Sequence, residues 1–567
     1  MIASLRSVFE PLADPLQRRW TLGRLFGRWP AAERFTAHRP PYLDVLPAAD
    51  SPGSVEFALL SAQPAPSPRL LDLPGRTLRL DADTADQAVD RQLPDEAAAA
   101  FHSFAWLAQD ADGSLLATVW PAWRNRFATP NGRSPAWQGA VPAERAVAIV
   151  DFARRHGLPA PLDATIGLLA AHAAFIARTL AYHGERGTGS LLAHQGRALY
   201  RLGVDLDMPQ TARLGLALLD GEARRLILPS GVSRDESTHH HLLLARSYLD
   251  AWLAARRGCR PEADRLKEVA GRLLAVVPAL HLPGGLPLMG DVAETLPAGW
   301  LDGLLPGADL GVGWTGRWPA SEQAALGELR DSCRLTDLEA LRPDGWLRLD
   351  LNGWSGLWHA PAGGWLSAAG HGHQDLGACQ LHHAGTPILV DPGGSPLGQT
   401  NGDRICRLAG VHGGLQLDDH APLATDRSCF SDAFRRQHGA SPPDLRSECD
   451  GVSLTFAGFA GVGGPRQVRR YWRLAADGLA IDDHVLGTGR FVLTRRLITP
   501  LLVAGKASDG LLLDGGGRRF RLSADAPLAV GRGLQWRGFG QAHEVRFIEI
   551  KARVDLPWRG SVRLALV

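Results

Sequence analysis

Hydrophobic and polar residues follow two different patterns in two long regions of the chain. From about residue 95 to about residue 310, Ala and Leu recur with a period near 3.6 residues, with arginines between them. This period places the apolar side chains on one face of a helix, so the region is predicted to form amphipathic helices that pack antiparallel through short connectors. The predicted helices span residues 143–156, 162–183, 190–202, 211–226, 238–256 and 263–277.

From Gly345 onward, short apolar runs alternate with Asp-Gly and Gly-Gly turns, which is typical of strands in a large antiparallel sandwich. The clearest predicted strands cover 470–474, 478–483, 491–496, 511–513 and 546–550. Four regions follow: a Pro-rich lead-in over 1–94 with strands near 55–59 and 77–80, a helical domain over 95–315, a junction over 316–344 and a β-domain over 345–567. Periodicity leaves open whether the helices form a bundle, a solenoid or a toroid.

Composition excludes several classes of protein. The 567 residues exceed what one hydrophobic core supports, and 61 basic against 59 acidic residues give no overall field to hold nucleic acid or anionic lipid. The six cysteines are scattered without a Cys-x-x-Cys pair, so neither a zinc ribbon nor a disulfide framework is expected. No apolar run reaches the length of a membrane span. Residues 1–30 show no secretory signal, because Glu10, Asp14 and Gln17 interrupt them.

The densest group of candidate catalytic or metal-binding residues lies in the segment Gly370-His371-Gly372-His373-Gln374-Asp375. Asp391 ends a short apolar run eighteen residues after His373, and His412 follows twenty-one residues later. If the first segment is an extended strand, His371 and His373 project from the same face. Two imidazoles and a carboxylate suit zinc, and a histidine outside the metal shell can transfer protons. With 20 histidines in the chain, a structural polar cluster remains an equal alternative.

A second candidate group, Asp235 to His241, opens a predicted helix. Ser237 or Thr238 is the expected N-cap. Successive helix residues point about 100° apart, so at most two of His239, His240 and His241 can share a site. A capped helix with solvated histidines is the alternative interpretation.

The segments His371 to Asp375, Val390-Asp391-Pro392-Gly393 and Arg407 to Leu415 resemble the C-terminal β-sheet domain of the heparinase II/III family of polysaccharide lyases. The resemblance implies a multidomain α + β protein, with an incomplete N-terminal α/α toroid followed by a C-terminal antiparallel β-sandwich. It also implies zinc on His373, Asp391 and His412, no organic cofactor, and His371 as the catalytic histidine. Gly413-Gly414 departs from the Asn-Thr that is usual in the family.

Two further departures lie in the helical half. The family's Tyr matches His240, and the family histidine beside it matches His241. The family's Asn-His pair matches Gly189-Ser190, and whether Arg186, His183 or His194 substitutes for it remains open. The resemblance gives a second set of candidate residues, for substrate binding: Arg234, His241, Ser190, Arg404 and Arg407.

The implied reaction is β-elimination in an acidic, uronate-containing polysaccharide or oligosaccharide, such as a glycosaminoglycan or an alginate-like chain. The proton on C5 is a very weak acid, so the site needs a base, an acid and stabilisation of the enolate-like charge. A histidine with a pKa near 6.5 is a competent base. His371 and His240 are predicted to face each other across the interdomain cleft and to flank the sugar.

Two other functions stay open, because the Tyr and the Asn-His pair are missing. One is a non-catalytic relative that binds cell-envelope glycan, and the other is a zinc-dependent glycan hydrolase in which the metal activates water. The resemblance implies a periplasmic or cell-envelope location, whereas the missing signal leaves the cytoplasm open. The sugar, endo or exo action and the oligomeric state are not decided by the sequence.

Overall fold

The computed structural model covers nearly the whole of both predicted regions. It describes residues 15–29, 39–44, 50–65, 67–293, 295–367, 369–394, 399–400, 403–427, 429–438, 441–459, 462–507, 510–538 and 540–567.

The helical half consists of antiparallel helices joined by short connectors, arranged as an incomplete toroid. Their bounds are α1 (Pro15–Leu25), α2 (Ala85–Asp90), α3 (Asp95–His102), α4 (Ser114–Phe127), α5 (Val141–His156), α6 (Leu162–Arg178), α7 (Leu191–Asp205), α8 (Pro209–Leu226), α9 (Thr238–Arg257), α10 (Ala263–Leu280), α11 (Ala320–Ser332), α12 (Leu338–Leu341) and α13 (Asp432–His438). The six helices predicted from periodicity correspond to α5 to α10. In the described part of the chain, no helix combines the length and the apolar character that crossing a bilayer requires.

Buried ion pairs fix the central helices relative to one another. Asp250 of α9 accepts hydrogen bonds from Arg197 Nε, at 2.6 Å, and from Arg201, both on α7. Arg201 Nη2 also reaches Asp151 Oδ1 on α5 at 2.7 Å. Removing one member of such a buried network leaves an uncompensated charge. These contacts therefore hold α5, α7 and α9 in fixed positions relative to one another.

The helical layer continues beyond residue 315, where the sequence placed its end. Helix α11 lies inside the predicted junction and buries Ala325, Leu326 and Leu329 in the same core as α9 and α10. Its apolar residues recur every three to four positions, so the helix has one face to bury, and the helical core offers the matching surface. The lead-in also belongs to this half, because a hairpin of β1 (Arg69–Leu73) and β2 (Arg76–Leu80) buries Leu71 and Leu78 in the helical core.

The C-terminal half is built from strands, with few helical turns. Its strands are β3 (Trp346–Leu351), β4 (Trp354–His359), β5 (Trp365–Leu366), β6 (Gln380–His383), β7 (Thr386–Leu389), β8 (Gln399–Thr400), β9 (Asp403–Arg404), β10 (Leu415–Leu417), β11 (Ala424–Thr425), β12 (Asp444–Glu448), β13 (Gly451–Phe456), β14 (Pro465–Ala475), β15 (Gly478–Gly487), β16 (Arg490–Thr499), β17 (Leu502–Ala507), β18 (Gly510–Gly515), β19 (Arg518–Ala524), β20 (Leu528–Gly538), β21 (Gln541–Asp555) and β22 (Trp558–Leu566). The predicted strand over 55–59 is not formed; only Leu59 makes a bridge there, with Leu158.

These strands form an antiparallel sandwich. One layer is an eight-stranded sheet in the order β12-β13-β14-β15-β22-β19-β18-β17. Facing it are two four-stranded sheets, β10-β16-β21-β20 and β3-β4-β6-β7. Alternate residues of strands such as β15 are buried, and side chains from all three sheets form one core. The predicted fold class, helical toroid followed by antiparallel sandwich, is confirmed.

An aromatic cluster joins the first described helix to the C-terminal half. Trp20 of α1 packs edge-on against Phe430 and Phe434, with ring centroids 5.8 and 5.3 Å away. Trp29 stacks on Trp20 and also contacts Phe434. Residues more than 400 positions apart in the sequence therefore share one small core.

Candidate active site and metal centre

Three loops meet where the helical half contacts the sandwich, and Asp291 lies at their centre. Its two carboxylate oxygens bind different histidines: Oδ2 lies 3.0 Å from His371 Nδ1, and Oδ1 lies 2.9 Å from His373 Nε2. Burial raises the pKa of Asp291, but the hydrogen bonds from the two histidines outweigh it and hold the pKa far below its usual range. Asp291 is therefore an ionised acceptor for both imidazoles.

Backbone hydrogen bonds interlock the same loops. His371 N donates to Asp235 O at 2.8 Å, and Asp291 N donates to His371 O at 2.8 Å. Gly290 makes this approach possible, since its φ is +75° and a Cβ there would lie 2.6 Å from Glu236 O. The three segments thus hold one another without regular secondary structure.

The start of α9 is tied into this arrangement. Ser237 is the N-cap, as predicted, because its hydroxyl accepts a hydrogen bond from His240 N at 3.1 Å. The same hydroxyl donates to Asp291 O at 2.7 Å. One serine therefore places both His240 and the loop that carries Asp291.

His240 and His371 lie together, but not in the predicted arrangement. Their rings stack with centroids 3.4 Å apart and planes 16° apart, so no sugar fits between them. Burial and the neighbouring His371 hold the pKa of His240 well below its ordinary value. Both imidazoles must reach a substrate from the same side. The segment around His371 is an irregular loop and not the predicted strand, although His371 and His373 still share one partner.

The three predicted metal ligands also come together. His373, Asp391 and His412 each offer a ligand atom within 4.8 Å of the other two, and all three are buried. Asp391 Oδ2 lies 2.8 Å from His412 Nδ1, while Asp391 Oδ1 accepts a hydrogen bond from Gly393 N at 3.0 Å. The Asp-Pro-Gly turn, in which Gly393 has a φ of +68°, aims the carboxylate at His412.

The hydrogen bonds around this triad use Nε2 of each histidine, so Nδ1 of each histidine is available to bind a metal. His412 Nε2 donates to Cys406 O at 2.6 Å, which leaves Nδ1 to face Asp391. His373 Nε2 donates to Asp291, and its Nδ1 is buried with no hydrogen-bond partner among the described residues. A carboxylate or carbonyl behind each imidazole is the usual support of a metal-binding histidine. The residues therefore fit a divalent metal, and zinc at this position stays a prediction.

Two residues that were predicted to contact the substrate are buried in the structure. His241 is fully buried, accepts a hydrogen bond from Ser233 N at 3.1 Å and lies 2.9 Å from Leu273 O through Nε2, so it braces the start of α9. Ser190 is 1% exposed at the start of α7. Neither side chain faces a space that a sugar enters. Among the proposed substitutes for the Asn-His pair, the buried His194 lies close enough for His371 to influence its pKa.

The three predicted arginines have different outcomes. Arg407 donates from Nη2 to Ser367 O at 2.7 Å and from Nε to Gly372 O at 3.2 Å, so it supports the loop of His371. The side chain of Arg404 lies outside the described part of the structure. Arg234 is exposed, with Nη1 3.9 Å from Glu185 Oε1.

Arg234 lines a cavity of about 220 Å³ beside Gly370, at the domain boundary. Its ionisable lining residues are mostly acidic: Glu185, Asp235, Glu236, Asp344 and Asp426 against Arg186, Arg225 and Arg234. Because Glu236 is mostly protonated at neutral pH, four carboxylates there face three arginines, so the cavity offers no net positive charge for the predicted carboxylate contact.

Asp291 is a candidate site residue that the sequence did not indicate. It lies in an irregular loop after α10, 80 residues before His371, and no spacing rule connects the two. Asp375, inside the predicted motif, was given no role, yet burial and the neighbouring Asp391 raise its pKa to about 7. A buried carboxyl with an unusual pKa beside a candidate metal centre marks the same region.

Glu236 gives a prediction about pH and stability. Burial, followed by repulsion from Asp375, raises its pKa to about 8 from 4.5. Between those values the folded state binds one more proton than the unfolded state, so stability falls as pH rises. We expect Glu236→Gln to raise Tm more at pH 8 than at pH 5, by the equivalent of about 1–3 kcal/mol. Thermal unfolding of Glu339→Gln, an exposed glutamate, is the control, and an equal shift in both variants would contradict the expectation.

The comparisons with known proteins agree with this geometry. Residues 335–555 match the family model described as Heparinase II/III-like, C-terminal. These residues form a heparinase II/III-like C-terminal domain. The matched region contains His371, His373, Asp391 and His412. No curated protein sequence is significantly similar to this chain.

Solved structures share the fold over most of both chains. The crystal structure of heparinase III has a TM-score of 0.60 at 14% identity, covering 84% of this chain and 79% of that one. Heparan sulfate lyase HepC from Pedobacter heparinus has a TM-score of 0.50 at 13% identity, covering 85% and 82%. At these identities the similarity establishes the fold alone.

Proposed function

We propose that this protein, which contains a heparinase II/III-like domain, is a polysaccharide lyase that cleaves an acidic, uronate-containing chain by β-elimination. The main support is the pairing of His371 with His240 on one side and Asp291 on the other. Asp291 accepts the Nδ1–H of His371, which leaves the Nε2 lone pair free to take a proton. The His371 side chain is 26% exposed and so is open to a ligand.

The elimination breaks the C5–H bond and the C4–O4 bond and forms a C4=C5 double bond. His371 Nε2 takes the C5 proton. The lowered pKa of His240 keeps that imidazole neutral, so His240 donates a hydrogen bond to the leaving oxygen and keeps its own proton. The proton on His371 then passes to that oxygen, which leaves as a hydroxyl group, and both histidines return to their starting protonation states.

The stacked rings restrict which uronates fit this scheme. Because both imidazoles approach from one side, the C5 proton and the C4 oxygen must lie on the same face of the sugar ring. D-glucuronate and D-mannuronate meet this condition. L-iduronate, L-guluronate and D-galacturonate do not.

Zinc at His373, Asp391 and His412 is part of the proposal. Its chemistry there would be to supply a fixed positive charge near the reacting pair. His373 would link the metal to His371 through the carboxylate of Asp291. This arrangement fixes the orientation of the base.

Metal content gives a direct prediction. The purified protein should contain about one zinc per chain, and Asp391→Ala should lose most of it, because two imidazoles alone bind zinc weakly. Elemental analysis of both proteins is the measurement, with Asp555→Ala, an exposed carboxylate of the same domain, as control. Full zinc content in Asp391→Ala, or none in the native protein, would rule out this centre.

The lyase activity is tested by the ultraviolet absorbance of the unsaturated product. A panel of polymers containing glucuronate, mannuronate, guluronate, galacturonate or iduronate separates the two stereochemical classes. Product from the first two alone is expected. Product from none of them would sink the proposal in favour of a glycan-binding relative, and product from the second class alone would contradict the one-sided geometry.

A second function, a metal-dependent glycan hydrolase, is favoured by one observation. Asp235, His240 and His371 also offer ligand atoms within 4.8 Å of one another. Asp235 Oδ2 and His240 Nδ1 are buried without a hydrogen-bond partner in the described part of the chain. A metal there would activate water. Cleavage that yields saturated ends and stops with a chelator would support this reading over the lyase.

A further inference from the structure

A cavity inside the helical domain is lined by elements that also carry the candidate active site, and it is unlike the acidic cavity at the domain boundary. Its volume is about 110 Å³, whereas one water molecule needs roughly 10–15 Å³ by the same measure. The space suits a single small ring and not a long chain.

The elements that carry the site also form the walls of this cavity. Arg246 lies on α9, six residues after His240, and Arg197 lies on α7, three residues after His194. Thr295 and Leu296 come from the loop that contains Asp291. The cavity therefore shares α7, α9 and the Asp291 loop with the candidate active site.

The charge of the lining is strongly basic. Arg154, Arg155, Arg197, Arg246 and Arg317 line the space, against Glu144 and Asp151. Some of these charges are compensated: Arg154 pairs with Glu322, Arg197 pairs with Asp250 and Glu144, and Arg246 also pairs with Glu144, while Asp151 pairs with Arg201. In the described part of the structure, Arg155 and Arg317 pair with no carboxylate; Arg317 donates to backbone carbonyls instead. A net positive charge remains for a ligand to balance.

Arg246 supplies a donor for such a ligand. It is 4% exposed, and its Nη2 reaches Glu144 Oε1 at 2.8 Å. Its Nε is buried with no hydrogen-bond partner among the described residues. A buried, unsatisfied donor on a charged group costs free energy, which a bound carboxylate would recover.

Aromatic rings complete the walls. Trp300, Trp314 and Trp318 line the cavity, and the guanidinium of Arg317 lies 4.9 Å from the centre of the Trp300 ring. Flat apolar faces combined with a few charged donors are the usual surroundings of a small ring-shaped ligand.

From these observations we infer that the cavity is a binding site for one anionic sugar residue, a uronate whose carboxylate meets Arg246 and Arg155. The choice of a sugar over another ring-shaped anion rests on the proposed function. The binding site itself rests on the charge, the unsatisfied donor and the tryptophans.

Binding of D-glucuronate tests the inference without catalysis, because the monosaccharide has no 4-linked leaving group. Isothermal titration calorimetry of the full chain should give a Kd on the order of 1 mM, with D-glucose and inorganic sulfate at least tenfold weaker. Arg246→Lys keeps a cation beside Glu144 but removes the Nε donor, and Arg155→Gln removes an unpaired charge. Each should weaken glucuronate binding roughly tenfold, whereas Arg490→Gln, exposed on the sandwich, should leave it unchanged.

Each outcome decides the point. Equal binding of glucose, equal binding of sulfate, or unchanged affinity in both cavity variants would overturn the inference. Lyase activity without glucuronate binding would overturn it and leave the proposed function standing. Glucuronate binding that the cavity variants weaken, with no unsaturated product from any polymer, would support the site and reject the lyase.

Discussion

His371→Ala should lower turnover by about 10²–10⁴-fold, with little change in stability, since this side chain is the proposed proton acceptor. His240→Ala should lower turnover less, because it removes a hydrogen bond to the leaving oxygen and leaves the base in place. His240→Tyr should keep turnover within about tenfold of the native protein, because a phenol also donates a hydrogen bond.

Initial rates of unsaturated product give the comparison, with His543→Ala as an exposed-histidine control. Thermal unfolding of each variant separates lost chemistry from lost structure. If activity survives in the double variant of His371 and His240, the assignment of proton transfer is wrong even though the fold stands.

Asp291→Asn should lower zinc affinity and turnover together, by roughly 10–100-fold each. The carboxylate accepts an N–H from His371 and one from His373, whereas a carboxamide offers one acceptor oxygen and an NH₂ group. One of the two histidines must then move its proton to the other nitrogen. If His373 does so, it loses the nitrogen proposed for the metal; if His371 does so, it loses its free lone pair.

Competition with a chromophoric chelator measures the zinc affinity, and steady-state kinetics measures turnover. A positioning role predicts that kcat falls while KM changes by less than about threefold. Asp302→Asn, an exposed aspartate further along the same connection, is the matched control. Native zinc affinity and native kcat in Asp291→Asn would show that the Asp291 carboxylate between the two histidines contributes to neither metal binding nor turnover.

The fold was largely predictable because it depends on local patterns. Apolar residues at helical spacing gave α5 to α10 within a few residues of their ends, and turn glycines gave the long strands of the sandwich. The end of the helical domain was misplaced, because α11 is a short helix after an irregular stretch, and its core contacts are with helices far away in the sequence.

The site was predictable only where its residues lie in a motif. His373, Asp391 and His412 offer ligand atoms within 4.8 Å of one another, in the segments that the resemblance indicated, and their role stays a prediction. The role of His241 was misjudged because its burial depends on Ser233 and Leu273, which no helical rule places next to it. Asp291 needed the tertiary structure, since a single aspartate in a loop carries no periodic signal.

The aromatic cluster of Trp20, Trp29, Phe430 and Phe434 has a consequence for the order of folding. During synthesis, the two tryptophans emerge about 400 residues before the phenylalanines that cover them. Closing so long a loop is slow, so the first helix stays uncovered while the helical domain forms. The N-terminal segment is therefore expected to dock last, and tryptophan fluorescence during refolding should show a late phase that Phe434→Ala removes.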